Sequence, residues 1–276
     1  MRKILAVAGL LGVVSHALAS ENSLVLNEGV VLENARRLIH IHHVSVDKSG
    51  IVDTVTDGSG FLLDAHHAIT AAHVVRKAAE RGEPLIVQVG AKARGNYLTT
   101  AKVVDVDYRR DLAMLLVNTY TSDPTAENPG TGPVIPGAPG LDNPPARICS
   151  TRAPAGSSYG LGGLATKSTG NSSAIEVRWA PRKYESVLDV TTLPPLAERM
   201  DVPDWSWQTG DPAIVLEWTA NEGDSGGGVF STDGCFMGVA SADVVIMYEG
   251  NPRGVTIAVP VLQGDPFLKS ANLGQH

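Results

Sequence analysis

The chain has 276 residues, of which 43% are apolar and 18% charged, with 29 Gly, 17 Pro and a formal net charge of −7. This length can bury one large core or two small ones, and so much glycine and proline disfavours an all-helical fold. The charge is acidic and no basic run is present of the kind that tracks phosphates, so nucleic acid is excluded as an expected partner.

Residues 1–19 read as a signal peptide. Arg2 and Lys3 give a positive start, Ile4 to Val14 is apolar but too short to span a bilayer, and Ala17-Leu18-Ala19 is a small-x-small cleavage site. Cleavage after Ala19 removes two positive charges and takes the net charge from −7 to −9. No later stretch is long and apolar enough to cross a membrane. The expectation is a secreted or periplasmic protein with no membrane association after the signal is removed. Residues 20–35 form an N-terminal segment, polar from Ser20 to Gly29 and then Val30-Val31-Leu32-Glu33-Asn34.

Strand patterns follow at short intervals: Leu38–Val46, Val52–Leu63, His67–Ala71, Leu85–Val89, Thr99–Val106 and Leu112–Val117. They are rich in β-branched residues and punctuated by turn residues such as Asp47-Lys48-Ser49-Gly50 and Asp57-Gly58-Ser59-Gly60, the signature of an all-β barrel or sandwich. A short helix is expected after His73, through Glu80. Residues 36–120 therefore form a first β unit. Residues 121–145 are dominated by proline and glycine and make the connector. A second unit, 146–262, carries strand patterns at Ala146–Cys149, Ala174–Trp179, Ile214–Trp218, Gly227–Phe230, Cys235–Ser241 and Gly254–Val259. Within it, Arg182 to Asp211 reads as an insertion, whose Trp205 and Trp207 either pack the loop or line a binding surface. Residues 263–276 are a tail, too short for a further domain.

Three short segments carry chemistry. Gly223-Asp224-Ser225-Gly226-Gly227 places a serine in a glycine-rich turn, which can aim the Gly223 and Ser225 amides at one point beside the hydroxyl. Taken alone, it could equally be a hairpin whose serine satisfies local backbone. Upstream, Thr70-Ala71-Ala72-His73 ends an apolar strand on a histidine, and Asp111-Leu112-Ala113 opens a hydrophobic segment on an aspartate. A serine hydroxyl becomes a good nucleophile when a base takes its proton, and an imidazole does this well when a carboxylate fixes its tautomer.

In this order the three segments resemble the trypsin/chymotrypsin-like serine peptidases, with Thr-Ala-Ala-His, Asp-Leu/Ile-Ala and Gly-Asp-Ser-Gly-Gly. The resemblance spans Thr70 to Gly227. It implies two packed six-stranded antiparallel barrels with the site in the cleft between them. It makes His73 the general base, Asp111 its orienter and Ser225 the nucleophile, with an oxyanion hole at Gly223 and Ser225. The implied activity is a serine endopeptidase acting on protein or peptide through an acyl-enzyme, without cofactor or metal. The alternative is a catalytically inactive binding protein on the same fold.

By the same resemblance Thr219 lies at the base of the specificity pocket, Ser241 supports Asp111, Ser241-Ala242-Asp243 lines the pocket and meets substrate backbone, and Gly254 belongs to the opposite wall. Threonine at the base supplies no charge to select lysine or arginine. Family members often bridge the strands that hold Cys149 and Cys235. Cys235 lies a few residues later than in that pattern, so two buried thiols remain the alternative. Gly29-Val30-Val31-Leu32-Glu33-Asn34 resembles the mature start of glutamyl-endopeptidase-like members, which makes 20–29 a short propeptide and pairs the Val30 ammonium with Asp224. The other reading is a preformed site with Ser20 as the terminus. His40 and His42 would share one face of a strand, but no cysteine or carboxylate stands near them in sequence at ligand spacing, so packed or solvated imidazoles are expected.

Overall fold

The computed structural model describes residues 33–34, 36–46, 52–89, 97–118, 144–152, 154, 157, 159–169, 172–179, 192–196, 207–216 and 223–271. The expected signal peptide, Ser20 to Val30, nearly all of the connector, Trp205 and Thr219 lie outside these residues.

The first half is a closed barrel of β1 (Leu38–Val46), β2 (Val52–Leu62), β3 (His67–Thr70), β4 (Leu85–Val89), β5 (Tyr97–Asp107) and β6 (Leu112–Val117), in the order β1-β2-β3-β6-β5-β4. Its ladders are antiparallel, and the two-residue period of β1 sends the fully buried Ile39 and Ile41 to one face and His40 and His42 to the other. Helix α1 (Ala72–Arg81) covers the barrel with Ala72, Val74, Val75 and Ala78 and ends at Gly82, whose φ of 65° lets its N–H reach the Ala78 and Ala79 carbonyls. The helix begins one residue before His73 rather than after it.

The second half supplies β7 (Tyr159–Thr169), β8 (Ser172–Trp179), β9 (Ile214–Leu216), β10 (Gly228–Ser231), β11 (Phe236–Tyr248) and β12 (Asn251–Pro260). They form one six-stranded antiparallel sheet in the order β8-β7-β10-β11-β12-β9. No ladder joins β8 to β9 among the described residues, so closure is seen in the first unit alone.

Several elements differ from the sequence reading. The Asp57–Gly60 turn signal lies inside β2, because the strand needs its glycines for close approach: a side chain at Gly58 would run into Val74, and one at Gly60 into Ile39. β7 goes unrecognised because Gly160, Gly162 and Gly163 hide its period. Those glycines make room for the other half and for the turn around Ser225: Leu38 packs on Gly162, and the Asp224 carboxylate packs on Gly163. Ala146–Cys149 forms a single parallel bridge from Ile148 to Phe236 instead of a strand. β11 and β12 extend further and meet at Glu249-Gly250, both with positive φ, the turn that matches hairpin twist.

The two halves share one apolar core. Phe61 of β2 stacks on Phe236 of β11, with ring centroids 4.9 Å apart and planes 3° from parallel, and also meets Phe230 of β10. Offset aromatic pairs of this kind contribute about 0.5–1.5 kcal/mol beyond their buried area. Trp207 joins the same core, the packing alternative for that residue. Cys149 and Cys235 form a disulfide, which decides against free thiols and ties the second unit's entry segment to the β10–β11 hairpin.

Candidate active site

Asp111 ends the turn between β5 and β6 with a φ of 58°. That left-handed conformation is uncommon for side-chain-bearing residues, and aspartate and asparagine tolerate it best. The turn is braced by Asp107, whose carboxylate accepts from the Arg110 amide at 3.1 Å and from Arg110 Nε at 2.7 Å. Arg110 reaches on to Asp265 at 2.8 Å, just ahead of a 3-10 turn, Pro266–Ala271. Burial pushes the Asp107 carboxyl upward, but the hydrogen bonds and charge of Arg110 outweigh it, and the group sits below the ordinary carboxylate range.

β3 delivers His73 to this turn. The His73 amide donates to Asp111 Oδ1 at 2.8 Å, and the Ala72 amide donates to the Asp111 carbonyl at 3.1 Å. His73 Nδ1 lies 2.8 Å from Asp111 Oδ2. A carboxylate only accepts, so the proton resides on Nδ1 and leaves Nε2 with a lone pair. The histidine side chain is 44% exposed while Asp111 is buried, so the imidazole's free edge is open to a reactant. Ser241 of β11 donates its hydroxyl to Asp111 Oδ2 at 2.5 Å, reaching across from the second half.

The turn that carries Ser225 is held from both sides. The Ser59 amide donates to the Ser225 carbonyl at 2.8 Å, and the Ser59 hydroxyl donates to the Gly223 carbonyl at 2.6 Å. From behind, the Gly226 amide donates to Ala240 at 2.7 Å and the Ala240 amide donates to Gly227 at 2.8 Å. Gly223 and Gly226 have φ of 91° and 86°, and a side chain at Gly226 would collide with the Ser59 carbonyl and the Thr70 hydroxyl. Among the described residues neither the Gly223 nor the Ser225 amide is taken up by a carbonyl. The Ser225 hydroxyl donates to the Ser241 carbonyl at 3.4 Å rather than to His73.

Asp224 is buried, 3% exposed. Asp243 accepts a 2.7 Å hydrogen bond from Thr256, which is fully buried on β12 between Asp243 of β11 and Leu216 of β9. Ala242 stands beside the bulge between Ala240 and Ala242. Gly254 is exposed, and a side chain there would meet nothing within 4 Å. His40 and His42 do share a face, and both turn toward a carboxylate that sequence spacing conceals, Asp57 on the neighbouring strand. Among the described residues no group of three or more His, Cys, Asp or Glu side chains is placed to hold a metal ion. Ser59 and Thr70 are contributors that sequence reasoning missed. The available signal was a serine flanked by two glycines within a strand pattern.

The model of the trypsin-like peptidase domain matches residues 58–239. The chain belongs to this family of serine endopeptidases. Among solved structures it is similar to Deg5, with 19% identity over 85% of this chain and 88% of that one and a TM-score of 0.51. It is also similar to the Rv3671c protease from M. tuberculosis in its active form, with 18% identity, coverage of 87% and 83% and a TM-score of 0.52. The inactive form of Rv3671c gives 18% identity, 93% and 98% coverage and a TM-score of 0.54. At these identities the structural likeness carries the fold alone. A comparison with curated proteins finds no match.

The Ser59 clasp yields a prediction. Ser59→Ala removes one hydrogen bond to the turn, worth about 1 kcal/mol, so kcat for a peptide substrate should fall roughly fivefold to tenfold with KM little changed. Steady-state kinetics on active-site-titrated protein checks it, and unchanged kcat would show that the clasp does not govern the turn.

Proposed function

We propose that the chain is an exported serine endopeptidase in which Ser225 is the nucleophile, His73 the general base and Asp111 the residue that orients it. The observation that carries this reading is the Asp111 carboxylate, which receives the His73 ring, the His73 amide and the Ser241 hydroxyl at 2.8, 2.8 and 2.5 Å beside the turn that bears Ser225. His73 Nε2 takes the proton as Ser225 Oγ attacks the scissile carbonyl carbon. The carbonyl oxygen gains negative charge and is received by the Gly223 and Ser225 amides. The C–N bond breaks, Nε2 returns the proton to the departing amine, and water repeats the sequence on the acyl-enzyme. Ser225 Oγ must swing from Ser241 toward His73, a tightening that accompanies substrate binding in such sites.

The Ser225–Ser241 contact also favours the second reading, a binding protein without turnover. Fluorophosphonate labelling separates the two, since only an activated serine reacts. Ser225→Ala should abolish labelling and lower kcat on the order of a millionfold, and Asp111→Asn should cost about 10⁴ by favouring the wrong tautomer. Casein cleavage by Ser225→Ala at the wild-type rate would refute the assignment.

Specificity before the scissile bond is assigned to Thr219, Ser241, Ala242, Asp243 and Gly254. The Thr256 hydroxyl engages the Asp243 carboxylate, and Thr219 adds no charge, so uncharged small or medium side chains are preferred there. A peptide-library profile should show less than half of cleavages after lysine or arginine, and a basic majority would make Asp243 the selecting charge.

Export is supported by the leader pattern of residues 1–19 and by the Cys149–Cys235 bridge, which suits an oxidising compartment. N-terminal sequencing of active protein should begin at Ser20 or Val30. A start at Val30 supports the propeptide reading with Asp224 as partner of the new ammonium, and an intact Met1 terminus rules out cleavage.

A further inference from the structure

A cluster outside the triad has no role in the mechanism above. His42 Nδ1 lies 2.6 Å from Asp57 Oδ1, and His40 Nε2 lies 3.3 Å from the same oxygen. The register pairs His40 with Ser59 and His42 with Asp57. These four side chains therefore share one face of the β1–β2 ribbon. Ser59 is the residue whose hydroxyl touches Gly223 and whose amide holds the Ser225 carbonyl. Asp57 is thus two residues along the same strand and the same face from a direct contact with the nucleophile turn.

Among the described residues no strand pairs with β2 along this edge except β3, at Phe61 and Leu62, and the Ser59 amide points outward to Ser225. In an antiparallel ladder backbone groups alternate direction, so the Asp57 backbone faces the same open edge. Ser225 is flanked on its other side by β11, through Ala240 and Ser241. If the acyl part of a substrate lies on β11, the edge of β2 is the surface offered to the departing peptide. Two residues of strand cover about 6.6 Å, matched by two residues of extended substrate.

We propose that Asp57, positioned by His42 and His40, reads the leaving-group side of the substrate and favours lysine or arginine at the second residue after the scissile bond. The carboxylate is reachable, with 39% of its side chain exposed, and His42 is 36% exposed. Burial holds the His40 imidazole below its ordinary range, with the Asp57 charge opposing and His42 adding to the shift, so at neutral pH His40 braces the carboxylate without cancelling its charge. The proposal rests on the assignment of Ser225 as nucleophile.

The test uses the purified exported chain and internally quenched peptides that differ only in lysine, alanine or glutamate at that second position, with cleavage points fixed by mass spectrometry. Wild type should favour lysine over glutamate in kcat/KM by roughly threefold to fivefold, the size of an exposed ion pair. Asp57→Asn should bring the ratio near one, and Asp57→Lys should reverse it. The ratio is read within each protein, so a change in overall rate does not disturb it. An equal rate for lysine and glutamate in wild type, or an unchanged ratio in both variants, overturns the proposal. A wild-type chain that neither labels with fluorophosphonate nor cleaves any peptide overturns the peptidase assignment itself.

Discussion

The peptide unit between Ser225 and Gly226 is clamped at both ends. Its oxygen accepts from the Ser59 amide of the first barrel, and its N–H donates to the Ala240 carbonyl of the second sheet. A peptide is planar and resists twisting, so fixing both ends fixes the direction in which the Ser225 side chain leaves the chain. The Ser59 hydroxyl adds a third constraint at Gly223. The Gly223 and Ser225 carbonyls are directed to β2, and among the described residues no carbonyl takes up their own amides. The glycines on each side follow from this: only they hold the positive φ and admit β2 and Thr70 so closely.

The sequence pattern made the first barrel readable because its strands alternate or run apolar over several residues and its turns carry glycine and aspartate. All six of its strands begin within two residues of the expected positions, and β1, β4 and β6 coincide with them. The same reasoning failed where a glycine is placed for contact between distant parts of the chain. Gly58 and Gly60 read as a turn, and Gly160 to Gly163 concealed β7, since local propensity carries no information about Val74 or Leu38 approaching from elsewhere. At the site, the meeting of His73 and Ser241 on Asp111 was an expectation of the family resemblance. The positive φ of Asp111, the Ser59 clasp and the turn of His40 and His42 toward Asp57 were not legible, because each depends on register between strands.

Each half of the molecule positions a candidate site residue of the other half. Asp111 belongs to the first barrel, yet its carboxylate is oriented by Ser241 of the second sheet, and its turn is tied through Arg110 to Asp265 beyond β12. Ser225 belongs to the second half, yet its turn is held by Ser59 of the first. The contacts are mostly hydrogen bonds to backbone carbonyls or to a buried carboxylate, and a partner lost there leaves a desolvated group without compensation. A shift of one half against the other therefore disturbs the surroundings of His73 and Ser225 together. The shared Phe61, Phe230 and Phe236 core resists that shift, since packed aromatic rings have few alternative arrangements of equal energy. In this arrangement the aromatic interface is part of the candidate site: it keeps in register two sets of polar contacts that neither half can satisfy alone.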